Sequence, residues 1–315
     1  MMMSRRTPHR RLRVAIVGAG MVGQSLGRVL VGSGDRIVAV ISRSKGSAAK
    51  GARFLRCSRH GTTLDVIPRE TDVVMITTPH AAVGAVAQDL AGQTLLDFRR
   101  LAVCHASGML TAEVLGPAAA LGAAVFSFHP LQTFPRDFSP QTIWPTARGI
   151  YYGVDGSPRG IRKAKDLARR LQGRVIQIPP EMRAFYHAAC VVASNHLAAL
   201  LSVVERMHAE LQTREKKYFP VFQPLIRTTL ENIGSTSPAR ALSGPVARGG
   251  VETVAGHFNA VAQFAPELIP YFAAMSLETV RLALAIGSIN DQTAERMSEV
   301  IRQYTGPSTS RQERS

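Results

Sequence analysis

A short apolar run, Leu12 to Val17, ends in Gly18-Ala19-Gly20-Met21-Val22-Gly23, and apolar side chains then recur with helical spacing at Leu26, Val29 and Leu30. Strand, glycine turn and helix in that order form the most constraining feature of the chain. Glycine at position 18 permits the tight turn, Gly20 lets the backbone approach a pyrophosphate, and Gly23 allows the helix to pack closely on the strand. The pyrophosphate charge would rest on the positive end of the helix dipole, at the peptide groups of Met21 and Val22. A dinucleotide site is therefore expected at Gly18, Gly20, Met21, Val22 and Gly23.

The next strand, Ile37 to Ile41, is followed by Ser42-Arg43-Ser44-Lys45. An NAD enzyme usually places an acid there, on the ribose 2′-hydroxyl. Hydroxyls around a guanidinium suit a 2′-phosphate instead, because arginine gives a charge-assisted bidentate bond. Ser42, Arg43 and Ser44 thus favour NADP over NAD.

Further strands are expected at Val73 to Thr77, around Leu95-Leu96 and Leu101 to Cys104, at Ala124 to Phe128, at Tyr151 to Val154 and at Val175 to Ile178. Helical stretches such as Ala81 to Leu90 and Gly160 to Leu171 lie between them. Alternation of this kind indicates an α/β fold with a doubly wound, largely parallel sheet covered on both faces. After Pro179-Pro180 the pattern changes to long helical periods without strands. The expected organisation is a basic tail over 1–11, a dinucleotide-binding domain over 12–180, an all-helical substrate and dimerisation domain over 181–304, and a polar tail over 305–315.

In a doubly wound sheet the carboxyl ends of the strands face the ligand crevice. Thr77-Thr78-Pro79-His80, Cys104-His105-Ala106-Ser107 and His129-Pro130 all follow strands. Thr78, Pro79 and Ser107 are candidates for the cofactor, and His80, His105 and His129 for lining the nicotinamide and substrate pocket. In the first long helix, His187 and Ser194 fall about two turns apart on one face, with Asn195 slightly round it. Their neighbours are nearly all apolar, so the helix is expected to be buried. These polar groups then either satisfy one another or line a solvated cleft. Ser243, Arg248, Thr253 and His257 form a second cluster, where Arg248 suits a substrate carboxylate, or a glycine-rich interhelical turn carries a surface arginine.

Composition excludes several other classes. The chain has 315 residues, of which 45% are hydrophobic and 19% charged, which is too apolar for disorder over most of its length. The net charge is +16, from 38 Lys+Arg against 22 Asp+Glu. The bases are scattered and aromatics are only 6%, so a specific nucleic-acid partner is not expected. Polar residues interrupt Ala188 to Val204, so that stretch is expected to be a soluble helix and not a bilayer span. The three cysteines, Cys57, Cys104 and Cys190, lie far apart, fit no disulfide or zinc framework and suggest the cytoplasm.

The strings His105-Ala-Ser-Gly108, Ser127-Phe-His-Pro-Leu-Gln-Thr-Phe134, Tyr186-His-Ala-Ala189, Ala193-Ser-Asn195 and Ala241-Leu-Ser-Gly-Pro-Val-Ala-Arg-Gly249 resemble one bacterial family. It pairs a Rossmann-like NADP-binding domain with a helical domain of unknown function 2520. The wider group holds 6-phosphogluconate dehydrogenase-like, β-hydroxyacid dehydrogenase and ketopantoate reductase proteins. The resemblance implies an NADP-dependent oxidoreductase acting on a small oxo acid, ketopantoate among the candidates, and by analogy a homodimer. His105-Ala-Ser-Gly-Met109 is similar to the His-Asn-Gly-Met stretch of ketopantoate reductases, and Asn195-His-Leu-Ala-Ala199 to their Asn-Pro-Leu-Thr-Ala. His187 falls where they carry a catalytic lysine, so the acid or the reaction must differ. Arg183 stands where the family commonly has lysine, and Gly250 where it has aspartate.

The expected mechanism reduces a carbonyl with NADPH. His187 supplies the proton, since imidazole titrates near neutrality. Asn195 and Ser243 orient the carbonyl, Arg248 holds the carboxylate, and His105 and Ser107 approach from the cofactor side. The alternatives are a cyclic imine reductase of the pyrroline-carboxylate type and a non-enzymatic dinucleotide-binding sensor.

Overall fold

The computed structural model describes residues 10–135 and 137–305. The expected tails therefore lie largely outside the described residues. Within them the chain forms two compact units, divided between Ser194 and Asn195. That division falls beyond the boundary expected after Pro179-Pro180. The reason is that the helix after the prolines carries side chains that bond to the strands and loops of the first unit.

In the first unit, β1 (Arg13–Val17), β2 (Arg36–Ile41), β3 (His60–Gly61), β4 (Val73–Ile76), β5 (Ala102–His105) and β6 (Ala124–Ser127) make one parallel sheet in the order β3-β2-β1-β4-β5-β6. Side chains alternate across it, as the strand period of two requires. Val14, Ile16, Val73, Met75 and Phe126 pack on one face with α1 (Met21–Gly32), α2 (Lys45–Phe54) and, further along the chain, the helix Pro158–Arg170. Ala15, Val17, Val74, Ile76 and Val103 pack on the other with α3 (Val83–Ala91) and α4 (Gly116–Ala120). Burial on both faces explains why these strands read as unbroken apolar runs. Leu95-Leu96 is not a strand; Leu96 reaches the core from a turn.

Beyond α5 (Pro140–Ile143), the two expected later strands do not extend this sheet. β7 (His129–Pro130), β8 (Tyr151–Val154) and β9 (Arg174–Gln177) form a second sheet, β7 antiparallel and β9 parallel to β8, with α6 (Pro158–Arg170) between β8 and β9. Gly156, at φ +140, lets the chain turn back against Phe126. The crossover thus starts a new sheet instead of adding an edge strand.

A helical run then begins with α7 (Arg183–Val191) and continues through a π-helical turn, Val192–His196, into α8 (Leu197–Glu210). Ser194 Oγ donates to the Cys190 carbonyl at 2.8 Å within that turn. The wider π turn interrupts the 3.6-residue phase that placed His187 and Ser194 on one face.

The second unit adds α9 (Tyr218–Ser235), α10 (Val251–Phe264), α11 (Ile269–Ala285) and α12 (Asp291–Arg302) to α8. Its core gathers Val254, Phe258, Leu268, Val280, Met297 and Ile301 from α10 to α12. The expectation that the first long helix is buried fails. Between Arg183 and Glu210 only Arg183, Val203 and His208 are buried, and α9 buries no residue. The runs Pro180–Glu210 and Pro266–Ala285 are long and apolar enough to cross a membrane by length and composition.

Candidate active site

The glycine turn joins β1 to α1 as its spacing requires. Gly18 has φ +111, and a Cβ there would lie 2.6 Å from the Thr77 carbonyl carbon. At Gly23 a Cβ would meet Thr77 Oγ1 at 2.5 Å and Ile16 Cγ2 at 2.9 Å, so helix and strand touch through a residue without a side chain. At Gly20 it would meet nothing within 4 Å. Gly20 is the N-cap of α1 and no side chain caps that helix. The peptide groups of Met21 and Val22 thus begin a helix whose positive end faces open space, which fits a pyrophosphate.

Gly18 N–H donates to the Ile41 carbonyl at 2.8 Å, which brings the end of β2 beside this turn. Arg43 is exposed there. Ser44 is partly committed elsewhere. Its Oγ caps α2, accepting from Ser47 N–H at 3.2 Å and donating to Ser47 Oγ at 2.9 Å.

A cavity of about 460 Å³ opens at the carboxyl ends of β4 and β5, lined by Val22, Thr77, Thr78, His80, Ala106, Ser107, Gly108, Met109 and His187. All of these belong to the first unit. Thr78 Oγ1 is buried in its wall and has no hydrogen-bond partner among the described residues. An enclosed hydroxyl left in that state costs free energy unless a ligand satisfies it. The open Gly20, the uncapped α1 and this hydroxyl fit a dinucleotide.

The loop after β5 is tied at several polar atoms. Ser107 N–H donates to His105 Nδ1 at 3.2 Å, and His105 Nε2 donates to the Thr111 carbonyl at 3.0 Å. Ala112 N–H donates to Asp155 Oδ1 at 2.6 Å. His105 is fully buried with both ring nitrogens engaged on backbone. This corrects its expected part beside the reacting atoms: it holds the loop, while Ser107 reaches the cavity.

Helix α7 supplies the facing side chains through Arg183, Tyr186 and His187, which share one side of a helix. Arg183 is 1% exposed. Its Nη2 donates to the Ser107 carbonyl at 3.1 Å, and its Nη1 lies 3.2 Å from Asp155 Oδ2, off the line of a hydrogen bond, as an ion pair. Asp155 also accepts from Ser127 Oγ at 2.6 Å. The guanidinium lies 5.3 Å from the Tyr186 ring centre. Tyr186 Oη is 2.8 Å from His129 Nδ1, and the His129 and His187 rings meet edge to face, their centres 5.8 Å apart. Glycine at 108 allows this approach, since a Cβ there would run into the His187 ring and stand 2.9 Å from His129 Nε2.

Burial, reinforced by the nearby Arg183 charge, lowers both His105 and His129 to a pKa of about 4. For His105 the Thr111 carbonyl opposes that shift. Burial also raises the Tyr186 phenol and lowers Arg183, whose charge Asp155 supports. Both histidines are therefore neutral in the folded chain near pH 7. Between pH about 6.5 and about 4 the unfolded chain binds protons there that the folded chain refuses, so stability falls as pH falls through that window. Urea midpoints at pH about 7 and about 5 should differ, the lower pH giving the lower midpoint. Equal midpoints would contradict the neutral, enclosed imidazoles.

Of the expected site residues, Val22, Thr78, Ser107 and His187 line one cavity, with Gly18, Gly20, Met21 and Gly23 in the adjoining turn. Pro79 precedes the short 3₁₀ turn His80–Ala82 and is exposed. Asn195, Ser243 and Arg248 belong to the second unit. There Ser243 and Arg248 are exposed, and Arg248 ends a short 3₁₀ turn, Val246–Arg248, closed by Gly249 at φ +75. The Arg183–Asp155 pair and the Tyr186 hydroxyl were missed by the sequence reading. A buried charge pair leaves no periodic signature, and Asp155 lies far from Arg183 along the chain.

Residues 3–130 match a family described as a Rossmann-like domain, and residues 150–279 match domain of unknown function 2520. The chain joins a Rossmann-like domain to a DUF2520 domain. No curated protein matches this Rossmann–DUF2520 chain. Among solved structures, it is similar to a candidate NADP oxidoreductase from Bacteroides fragilis, with TM-score 0.68 and 20% identity over 86% of this chain and 98% of that one. A protein from Thermotoga maritima matches with TM-score 0.63 and 22% identity, over 93% and 100%. Prephenate dehydrogenase from A. aeolicus, in complex with hydroxyphenyl propionate and NAD+, matches with TM-score 0.52 and 16% identity, over 95% and 99%. These likenesses are of fold, and they agree with the parallel six-stranded sheet and the helical second unit.

Proposed function

We propose that this Rossmann–DUF2520 protein is an NADP-dependent oxidoreductase that reduces the carbonyl of a small oxo acid. The observation that carries the reading is the single cavity shared by Val22 and Thr78, next to the glycine turn, with Ser107 and His187. When bound, the nicotinamide supplies the hydride. The chain's own work is to hold the ring against this wall and to protonate the nascent alkoxide. His187 makes that transfer; its ring lines the cavity with Nε2 beside Gly108, which supports the role. Thr78 Oγ1 orients the cofactor's reactive end. The choice of NADP rests on the exposed Arg43, with no acid at the end of β2, against the NAD+ held by the more distant prephenate dehydrogenase.

Titration with NADPH and NADH by fluorescence tests the first half of this reading. NADPH should bind more tightly, and a preference for NADH would reverse the assignment at Arg43. A panel of oxo acids beginning with ketopantoate, with cyclic imines beside it, tests the second. NADPH binding without oxidation across the panel would leave a dinucleotide-binding sensor.

The second unit supports a homodimer. Helix α9 buries nothing, and Leu225 and Leu230 are exposed on it. An apolar helix in water needs a cover, and a second copy supplies one. Light scattering should return twice the chain mass; the chain mass alone would remove this part. The three free thiols, Cys57, Cys104 and Cys190, fit the reducing cytoplasm.

A further inference from the structure

Ser107 does more than line the cavity. Its Oγ accepts from Met109 N–H at 3.3 Å and from Leu110 N–H at 3.2 Å. A hydroxyl has two lone pairs and one proton. With both lone pairs taken, the proton goes to the remaining neighbour, His80 Nδ1, 3.1 Å away. Nδ1 of His80 is then the acceptor, and the neutral ring carries its proton on Nε2. The serine cannot easily turn away. Its N–H is held by His105 Nδ1 at 3.2 Å and its carbonyl by Arg183 Nη2 at 3.1 Å.

We infer that His80 is a fixed hydrogen-bond donor of the cavity, through Nε2–H, and that it selects substrates whose reacting group is an acceptor oxygen over those that present a protonated imine. The inference rests on the reductase reading above and narrows its substrate class. A carbonyl oxygen accepts from Nε2–H, and the bond strengthens as hydride arrives and negative charge builds on that oxygen. An iminium N–H needs an acceptor. Ser107 Oγ has none to spare, and no carboxylate is among the described residues that line the cavity. His80 keeps its proton throughout; His187 holds the one that is transferred.

The test combines three variants with two readouts. Imidazole ¹⁵N shifts of the ligand-free protein should show His80 as the Nε2–H tautomer, and Ser107→Ala should convert it to a mixture. With an oxo acid, His80→Leu should lower kcat by about 10²-fold at unchanged NADPH affinity, the loss typical of one oxyanion donor. His80→Gln, which offers an amide N–H near the Nε2 position, should recover much of it. An Nδ1–H tautomer in the parent protein, an unaltered kcat in His80→Leu, or faster turnover of cyclic imines than of oxo acids each overturns the proposal. Absence of any NADPH oxidation by the parent protein overturns the reductase reading and the selectivity with it. The tautomer measurement still reports on Ser107 and His80, so the two failures can be told apart.

Discussion

Replacing His187 with glutamine lowers turnover of an oxo acid by about 10²- to 10⁴-fold, the usual worth of a positioned proton donor, and leaves NADPH affinity nearly intact. Glutamine matches the size of imidazole and still offers an N–H, but it cannot give up a proton at neutral pH. The split between turnover and affinity follows from where the side chain lies. His187 reaches the cavity from α7, whereas the glycine turn, Arg43 and Thr78 follow β1, β2 and β4 and are untouched by the change. Stopped-flow oxidation of NADPH checks the rate, and fluorescence titration checks the affinity. Unchanged turnover removes His187 from the mechanism, whatever else the cavity does.

Asp155→Ala is expected to be among the most destabilising single changes in the first unit, by about 3–5 kcal/mol. The carboxylate is buried at 5% exposure and faces Arg183 at 1%. Removing it strands a guanidinium with its charge unopposed, and leaves Ser127 Oγ and Ala112 N–H without their acceptor. Replacing Asp155 and Arg183 together by leucine and methionine should recover part of the loss, because an apolar pair of similar volume removes the stranded charge. Urea unfolding of the single and double variants reads both effects. A single variant as stable as the parent protein would mean that the pair is not enclosed as described.

The first half of the fold was legible because its signals are local. Gly18 and Gly23 make the tight turn and the close helix–strand packing that their spacing requires, and β1, β2, β4, β5 and β6 follow unbroken apolar runs. What failed was non-local. Tyr151 to Val154 has the composition of any strand, and nothing in it tells that it pairs with His129-Pro130 and Arg174–Gln177 in a separate sheet. The apolar content of the helix after Pro180 says only that it needs a cover. It does not say whether the cover comes from the same chain. The candidate site divides in the same way. Strand-end residues such as Thr78 and Ser107 could be placed from topology alone. The different fates of His105, held on backbone, and His80, bonded to Ser107 at the cavity wall, depend on contacts made only in three dimensions.

The tethered loop between β5 and α4 has a consequence for how ligands are chosen. The amide, carbonyl and hydroxyl of Ser107 are all engaged before any ligand arrives, so this stretch has little freedom left to lose on association. The entropic cost of shaping that wall is met during folding, and affinity is correspondingly less taxed. The same rigidity makes the wall unforgiving. A misfitting molecule cannot recruit new partners from it, and discrimination at this face proceeds by refusal instead of by accommodation.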